Sequence, residues 1–129
     1  MTVTTSVDEG AAGELLVILR HGPHSGIALK EGLDAALVAA AFGRRVSLLF
    51  MGSGVAALMP GQGKGPLDQK GTLPTLDMLE MYDIDRCYAD SASLEALDMS
   101  ADALVIDVTA VDSGGVAQLM ACHSLVMTF

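Results

Sequence analysis

The stretch Glu14-Leu-Leu-Val-Ile-Leu-Arg20 decides how the rest of this sequence is read. It is short, apolar without interruption and contains β-branched residues. Such a run suits a strand covered on both faces, as in a parallel sheet with helices on either side. It is therefore read as the first central strand. The turn residues His21-Gly-Pro-His-Ser-Gly26 follow, with Ser25 placed to cap a helix. From Ile27 to Phe42 the period becomes helical: Leu29, Leu33, Leu37 and Ala40 share one face, while Lys30, Glu31 and Asp34 mark the wet side. Gly43 closes that helix.

The same alternation continues along the chain. Val46-Ser-Leu-Leu-Phe-Met51 reads as a second buried strand, followed by the turn Gly52-Ser-Gly-Val55 and a short helix that Pro60 stops. Gly61 to Gly71 reads as a long glycine-punctuated loop. A helix is expected over Leu73–Tyr82, a strand at Cys87–Asp90 and a helix over Ser93–Leu97. Then come a strand at Ala103–Val108, a helix from Val111 to Cys122 and a last strand at Ser124–Phe129. Five apolar strands alternating with helices predict an α/β fold, a three-layer α/β/α sandwich around a five-stranded, mostly parallel sheet. Residues 1–13 are read as a mobile leader and 14–129 as one domain.

Composition narrows the function. The 129 residues carry 16 acidic and 7 basic side chains, a formal charge of −9, and 4% aromatic residues with no Trp. Such a surface repels phosphate backbones and lacks stacking platforms, so direct nucleic-acid binding is not expected. No apolar run approaches the length of a membrane span, and Asp8 and Glu9 stand where a secretory signal would be basic. The protein is therefore expected in the cytoplasm, away from membranes. Cys87 and Cys122 are too few for a disulfide framework and have no CxxC spacing. With 18% charged residues and eight methionines in a chain of 51% hydrophobic content, some apolar surface must be exposed, which predicts an oligomer.

Ligands of parallel α/β sheets gather beyond the carboxyl ends of the strands. That rule collects His21, Gly22 and His24 after the first strand, Gly52, Ser53 and Gly54 after the second, Asp90 and Ser91 after the third and Thr109 after the fourth. His24, Ser53 and Asp90 are taken as the lining of a strand-end site. Such a site could hold a small anion in a homo-oligomeric binding protein, although ordinary turn and cap chemistry explains the same residue types. The segment Gly52-Ser-Gly-Val-Ala lacks the third glycine and the later acidic residue of a dinucleotide fingerprint, so no cofactor is expected. The paired histidines in a Gly/Pro loop make a weak metal site, and none is expected. Cys87 is the candidate catalytic residue, because the neighbouring Arg86 guanidinium would favour a thiolate; burial as a packing residue is the competing account. Cys122 and His123 are adjacent, and on a helix they would point about 100° apart without meeting.

Three segments together carry a resemblance: His24-Ser-Gly-Ile-Ala-Leu-Lys-Glu-Gly-Leu-Asp-Ala-Ala-Leu37, Leu49-Phe-Met-Gly-Ser-Gly-Val-Ala-Ala-Leu-Met-Pro-Gly-Gln62 and Met81-Tyr-Asp-Ile-Asp-Arg-Cys-Tyr88. The chain after Gly13 resembles the TusC/DsrF family of sulfur relay proteins. The resemblance implies a DsrE-like fold and a heterohexamer with TusB/DsrH-like and TusD/DsrE-like subunits. It also implies persulfide transfer involving a TusE/DsrC-like carrier protein, toward 2-thiouridine synthesis in transfer RNA or toward sulfur oxidation. In the sulfur-bearing subunits of this fold a cysteine ends the third strand. Asp90 stands there in this chain, which implies a structural or positioning subunit.

Overall fold

The structure is a computed structural model that describes residues 13–23, 26–59 and 73–129. The glycine-rich stretch 60–72, residues 1–12 and the positions of His24 and Ser25 lie outside the described residues, and Gly13, expected to belong to the leader, opens the first strand. Strand β1 (Gly13–Leu19) is followed by helix α1 (Ala28–Ala41) and strand β2 (Val46–Phe50). A 3-10 segment (Gly52–Leu58) follows β2. Next come α2 (Leu73–Asp77), a 3-10 turn (Glu80–Tyr82), β3 (Arg86–Asp90) and α3 (Ser91–Ala96). A further 3-10 turn (Ala101–Ala103), β4 (Thr109–Val111), α4 (Ser113–Ala121) and β5 (His123–Thr128) complete the order.

The five strands form one sheet in the order β4-β3-β2-β1-β5, and every pairing is parallel. The chain steps outward from β1 to β4, then returns to the far side of β1 for β5. Because parallel crossovers are right-handed, the first three connections lie on one face and α4 lies on the other. The two cores follow this division. Leu15, Val17 and Leu19 of β1 pack with Leu29 and Leu33 of α1, Leu76 of α2 and Leu94 of α3. Leu16 and Ile18 face the other way, onto Val116 and Leu119 of α4. Both faces of β1 are thus covered, which is why its sequence shows no alternation.

Helix α1 ends as the glycine suggested. Gly43 takes a left-handed conformation (φ +82). Its N–H donates to Ala40 O at 2.9 Å, and the Arg44 N–H donates to Ala39 O at 3.1 Å, satisfying carbonyls left over at the helix end. Side-chain capping at the start is absent, since the N-cap residue is Ile27.

Three expectations need correction. The apolar run at 103–108 is not a strand: β4 begins only at Thr109, and Leu104, Val105 and Ile106 pack partly buried against the α1-face core. The Val105 N–H donates to Leu58 O at 3.0 Å, tying this run to the 3-10 segment instead of the sheet. The helix expected after Val55 is that 3-10 segment, beginning at Gly52. The single helix expected over 73–82 is split into α2 and a 3-10 turn, and Asp83 ends the turn in the left-handed region (φ 60).

Candidate functional site

The carboxyl ends of β1, β2 and β3 bring two of the expected residues into one hydrogen-bonded chain. Asp90 ends β3 and caps α3, its Oδ2 accepting from the Ser93 N–H at 3.2 Å and from Ser93 Oγ at 2.6 Å. Ser93 Oγ in turn accepts from the Gly52 N–H at 2.8 Å. Next to it, Ser53 Oγ donates to the Arg20 carbonyl at 3.0 Å. The strand-end turns of β1, β2 and β3 are therefore stitched to one another. Sequence reasoning missed Ser93, although an Asp followed three residues later by a side-chain donor is visible in the text as a capping pattern.

Those bonds also define what the site lacks. The Gly52 amide and the Ser53 hydroxyl, the donors that would greet an anion, are already engaged, and the group beside them is the Asp90 carboxylate. The neighbouring crevice between β1 and β5, where the strand order reverses, is closed: the Arg20 N–H donates to Phe129 O at 2.9 Å and the Phe129 N–H to Ile18 O at 2.8 Å. The Phe129 ring lies beside Gly32 of α1, so close that an added Cβ there would sit 3.0 Å from it. His21 is exposed after β1, whereas Thr109 opens β4 and does not follow it. Among the described residues no cluster of His, Cys, Asp and Glu is arranged to hold a metal ion.

Cys87 lies at the amino end of β3, roughly 10 Å of extended strand from Asp90. It is buried and lines a cleft of about 430 Å3 with Leu76, Leu79, Ile84 and Val105, rimmed by Asp77, Glu80, Asp85 and Asp107. Burial, and after it the Asp85 carboxylate, pushes the thiol up to about 12. The thiolate expected from Arg86 is thus not favoured: alternate residues of a strand face opposite sides, so Arg86 and Cys87 do not share one. Two consequences can be measured. At pH 8 iodoacetamide should label Cys122, which is only partly buried, well before Cys87 in the folded protein. Because the unfolded thiol releases its proton near 9 and the folded one near 12, stability should fall as pH rises through that window. Cys87→Ala should remove the part of the slope that this thiol contributes.

At the opposite end of the sheet the structure corrects the expectation for Cys122 and His123. Cys122 caps α4 while His123 opens β5, and this change of backbone brings Sγ to 3.5 Å from Nδ1. The imidazole is nevertheless committed elsewhere. Nδ1 lies 2.7 Å from the Leu119 carbonyl, which can only accept, so Nδ1 carries the proton and Nε2 accepts from Ser47 Oγ at 2.8 Å. No lone pair remains to deprotonate the thiol. Both Ser47 and His123 are buried, so Ser47→Ala strands Nε2 and should cost about 1–3 kcal/mol in urea unfolding. Ser47→Thr, which keeps the hydroxyl, should recover part of it.

An all-parallel sheet with three crossovers on one face and one on the other, its strand ends tied by an aspartate and two serines, defines a small α/β/α domain. The chain belongs to the DsrE/DsrF-like family, whose description matches residues 14–129. It is 34% identical over 100 residues to a TusC homologue from Vibrio vulnificus (strain YJ016), covering 78% of this chain and 85% of that one. A TusC homologue from Pseudomonas aeruginosa is 33% identical over 114 residues, 88% and 96% of the two chains. The crystal structure of the ychN protein from E. coli superposes with a TM-score of 0.79 at 18% identity, covering 91% of this chain and 99% of that chain. That likeness establishes the fold. Among the described residues no helix is long and apolar enough to cross a membrane.

Proposed function

We propose that this chain is a non-carrying subunit of a cytoplasmic persulfide-relay complex of the TusBCD/DsrEFH type. Its partners would be TusB/DsrH-like and TusD/DsrE-like subunits, with a TusE/DsrC-like protein receiving or delivering sulfur. The complex would serve transfer RNA 2-thiouridine synthesis or sulfur oxidation. Family membership and the TusC homologues support the relay; the observation that carries the non-carrying role is Asp90 at the end of β3, hydrogen-bonded to Ser93.

The chemistry explains the weight placed on that residue. In persulfide transfer an acceptor thiolate attacks the outer sulfur of a donor R–S–SH. A new S–S bond forms, the donor S–S bond breaks, and the donor leaves as a thiolate that takes up the proton. A carboxylate cannot enter that exchange. Cys87 is buried and its thiol stays protonated near neutral pH, so it offers no nucleophile. What Asp90 does in this chain is hold Ser93 and, through it, the turn at Gly52. The acidic surface, with a net charge of −9, fits a subunit that leaves transfer RNA to other components.

Intact mass spectrometry after exposure to a persulfide-loaded sulfurtransferase tests this directly. The chain should gain no sulfur, while homologous subunits co-purified with it gain one atom each. A one-sulfur adduct here that disappears in Cys87→Ser would make this chain a carrier. Failure to co-purify with any such subunit would remove the relay reading.

A further inference from the structure

The cleft at Cys87 is left open because the sheet stops short beside it. β4 begins at Thr109, opposite Tyr88, so Cys87 pairs with Leu48 of β2 and has no residue of β4 on its other side. The apolar run 104–106 lines the cleft from one stretch of chain, held away from the sheet by the bond from Val105 to Leu58. Leu76 and Leu79 line it from another, and Ile84 lies beside Cys87. The enclosed volume of about 430 Å3 is in the range of small-molecule sites.

The charged groups here are of one sign. Asp77, Glu80, Asp85 and Asp107 stand exposed at the rim, and among the described residues no Lys, Arg or His lines the cleft. The ion pairs Arg44–Glu14 and Lys30–Asp34 lie elsewhere, and among the described residues none of the four carboxylates has an ion pair or a side-chain hydrogen bond. Inside, the Cys87 thiol is 7% exposed, belongs to no disulfide and, among the described residues, has no hydrogen-bond partner. It is a buried polar group that faces the empty space, protonated, with a weak donor and a weak acceptor to offer.

This lining separates the classes of ligand. An anion meets four carboxylates and no positive charge. A bare metal ion finds, among the described residues, no group of three ligands placed to hold it. A neutral apolar molecule fits the interior and leaves the rim charges as they were. An amine with an apolar body uses both parts: the body covers the leucines and Ile84, and the ammonium offsets the like charges gathered at the mouth. We propose that this cleft is a binding site for a small organic cation, an amine whose apolar body lies against Leu76, Leu79, Ile84 and Cys87 and whose charge meets the carboxylates of the rim.

This inference does not depend on sulfur transfer, and its failure would leave the relay reading standing. Titration of the purified chain with 4-phenylbutylamine at pH 7, followed through the amide NMR signals of Leu79, Cys87 and Val105, should give saturable shifts with a dissociation constant of about 1 mM or tighter. The alcohol 4-phenylbutanol, which has the same body without the charge, should bind at least ~5-fold more weakly, and 4-phenylbutyrate should not bind. Glu80→Gln combined with Asp107→Asn, both exposed, should weaken the amine about 5-fold and leave the alcohol unchanged. Added salt should act in the same direction. Val105→Trp, which fills the cleft from a half-buried position, should abolish the binding of both. Shifts that are absent at these three amides overturn the proposal, as does an amine that binds no better than the alcohol or ignores the charge variant. If Val105→Trp fails to fold, the charge variant and the three probes decide.

Discussion

Gly54→Ala should lower stability by about 3 kcal/mol and the melting temperature by about 10 °C. The backbone at Gly54 passes directly over the carboxyl end of β1. A Cβ built there would overlap the Leu19 carbonyl oxygen and lie 2.7 Å from its carbon and 3.3 Å from the Arg20 Cα. All three obstacles are backbone atoms at the carboxyl end of β1 and the residue after it, and Leu19 O already accepts from the Met51 N–H at 3.0 Å. No rotamer change can relieve the contact, so either the 3-10 segment lifts or β1 moves. Gly114→Ala is the control: its Cβ would meet only Asp112 Oδ1 at 3.3 Å, and it lies within α4. There the gain in helix propensity, about 1 kcal/mol, should offset the crowding. Equal melting curves for Gly54→Ala and the parent would mean that the close approach does not exist.

The second large effect is expected at Phe50, the last residue of β2 and fully buried on the α1 face. Phe50→Ala removes an aromatic ring from a core that also holds Leu19 of β1 and Val55 and Leu58 of the 3-10 segment, all fully buried. Such a site cannot collapse easily, so a loss of about 4 kcal/mol is expected in urea unfolding. Met51→Ala, one residue on and only half-buried, should lose far less. Similar losses at the two positions would contradict the packing described.

The strands that carry the centre of the sheet were legible because β1 and β2 are covered on both faces and their residues say so without interruption. Leu104-Val105-Ile106 looks the same in sequence, yet its place is set by one hydrogen bond to Leu58 and by packing from the side. Neither has a local signature. At the strand ends, Asp90 and Ser53 were readable from position, and turn and cap chemistry accounts for Asp90 on α3; what was not readable is that Ser93 reaches Gly52 and Ser53 reaches Arg20 across the fold. For Cys87 the sequence offered a thiolate beside Arg86 and a buried packing residue without deciding between them: Arg86 is its neighbour in sequence but not on its face of the sheet, and the walls of the cleft, then the carboxylate of Asp85, hold the thiol protonated. His123 and Ser47, 76 residues apart, could be joined only by the finished sheet.

The position of β5 beside β1 also governs how the molecule comes together in time. Every other neighbour of β1 is local, reached through α1 and a short turn, but Gly13 and His123 meet only after nearly the whole domain has been strung between them. Closing so long a loop is slow compared with forming the β1–β2–β3 unit. Until it closes, the open side of β1 is an apolar edge available to any passing strand. During synthesis that interval lasts until His123–Thr128 has left the ribosome, so misassembly should fall chiefly in that interval, and variants that weaken β5 should lower yield more than their equilibrium stability implies.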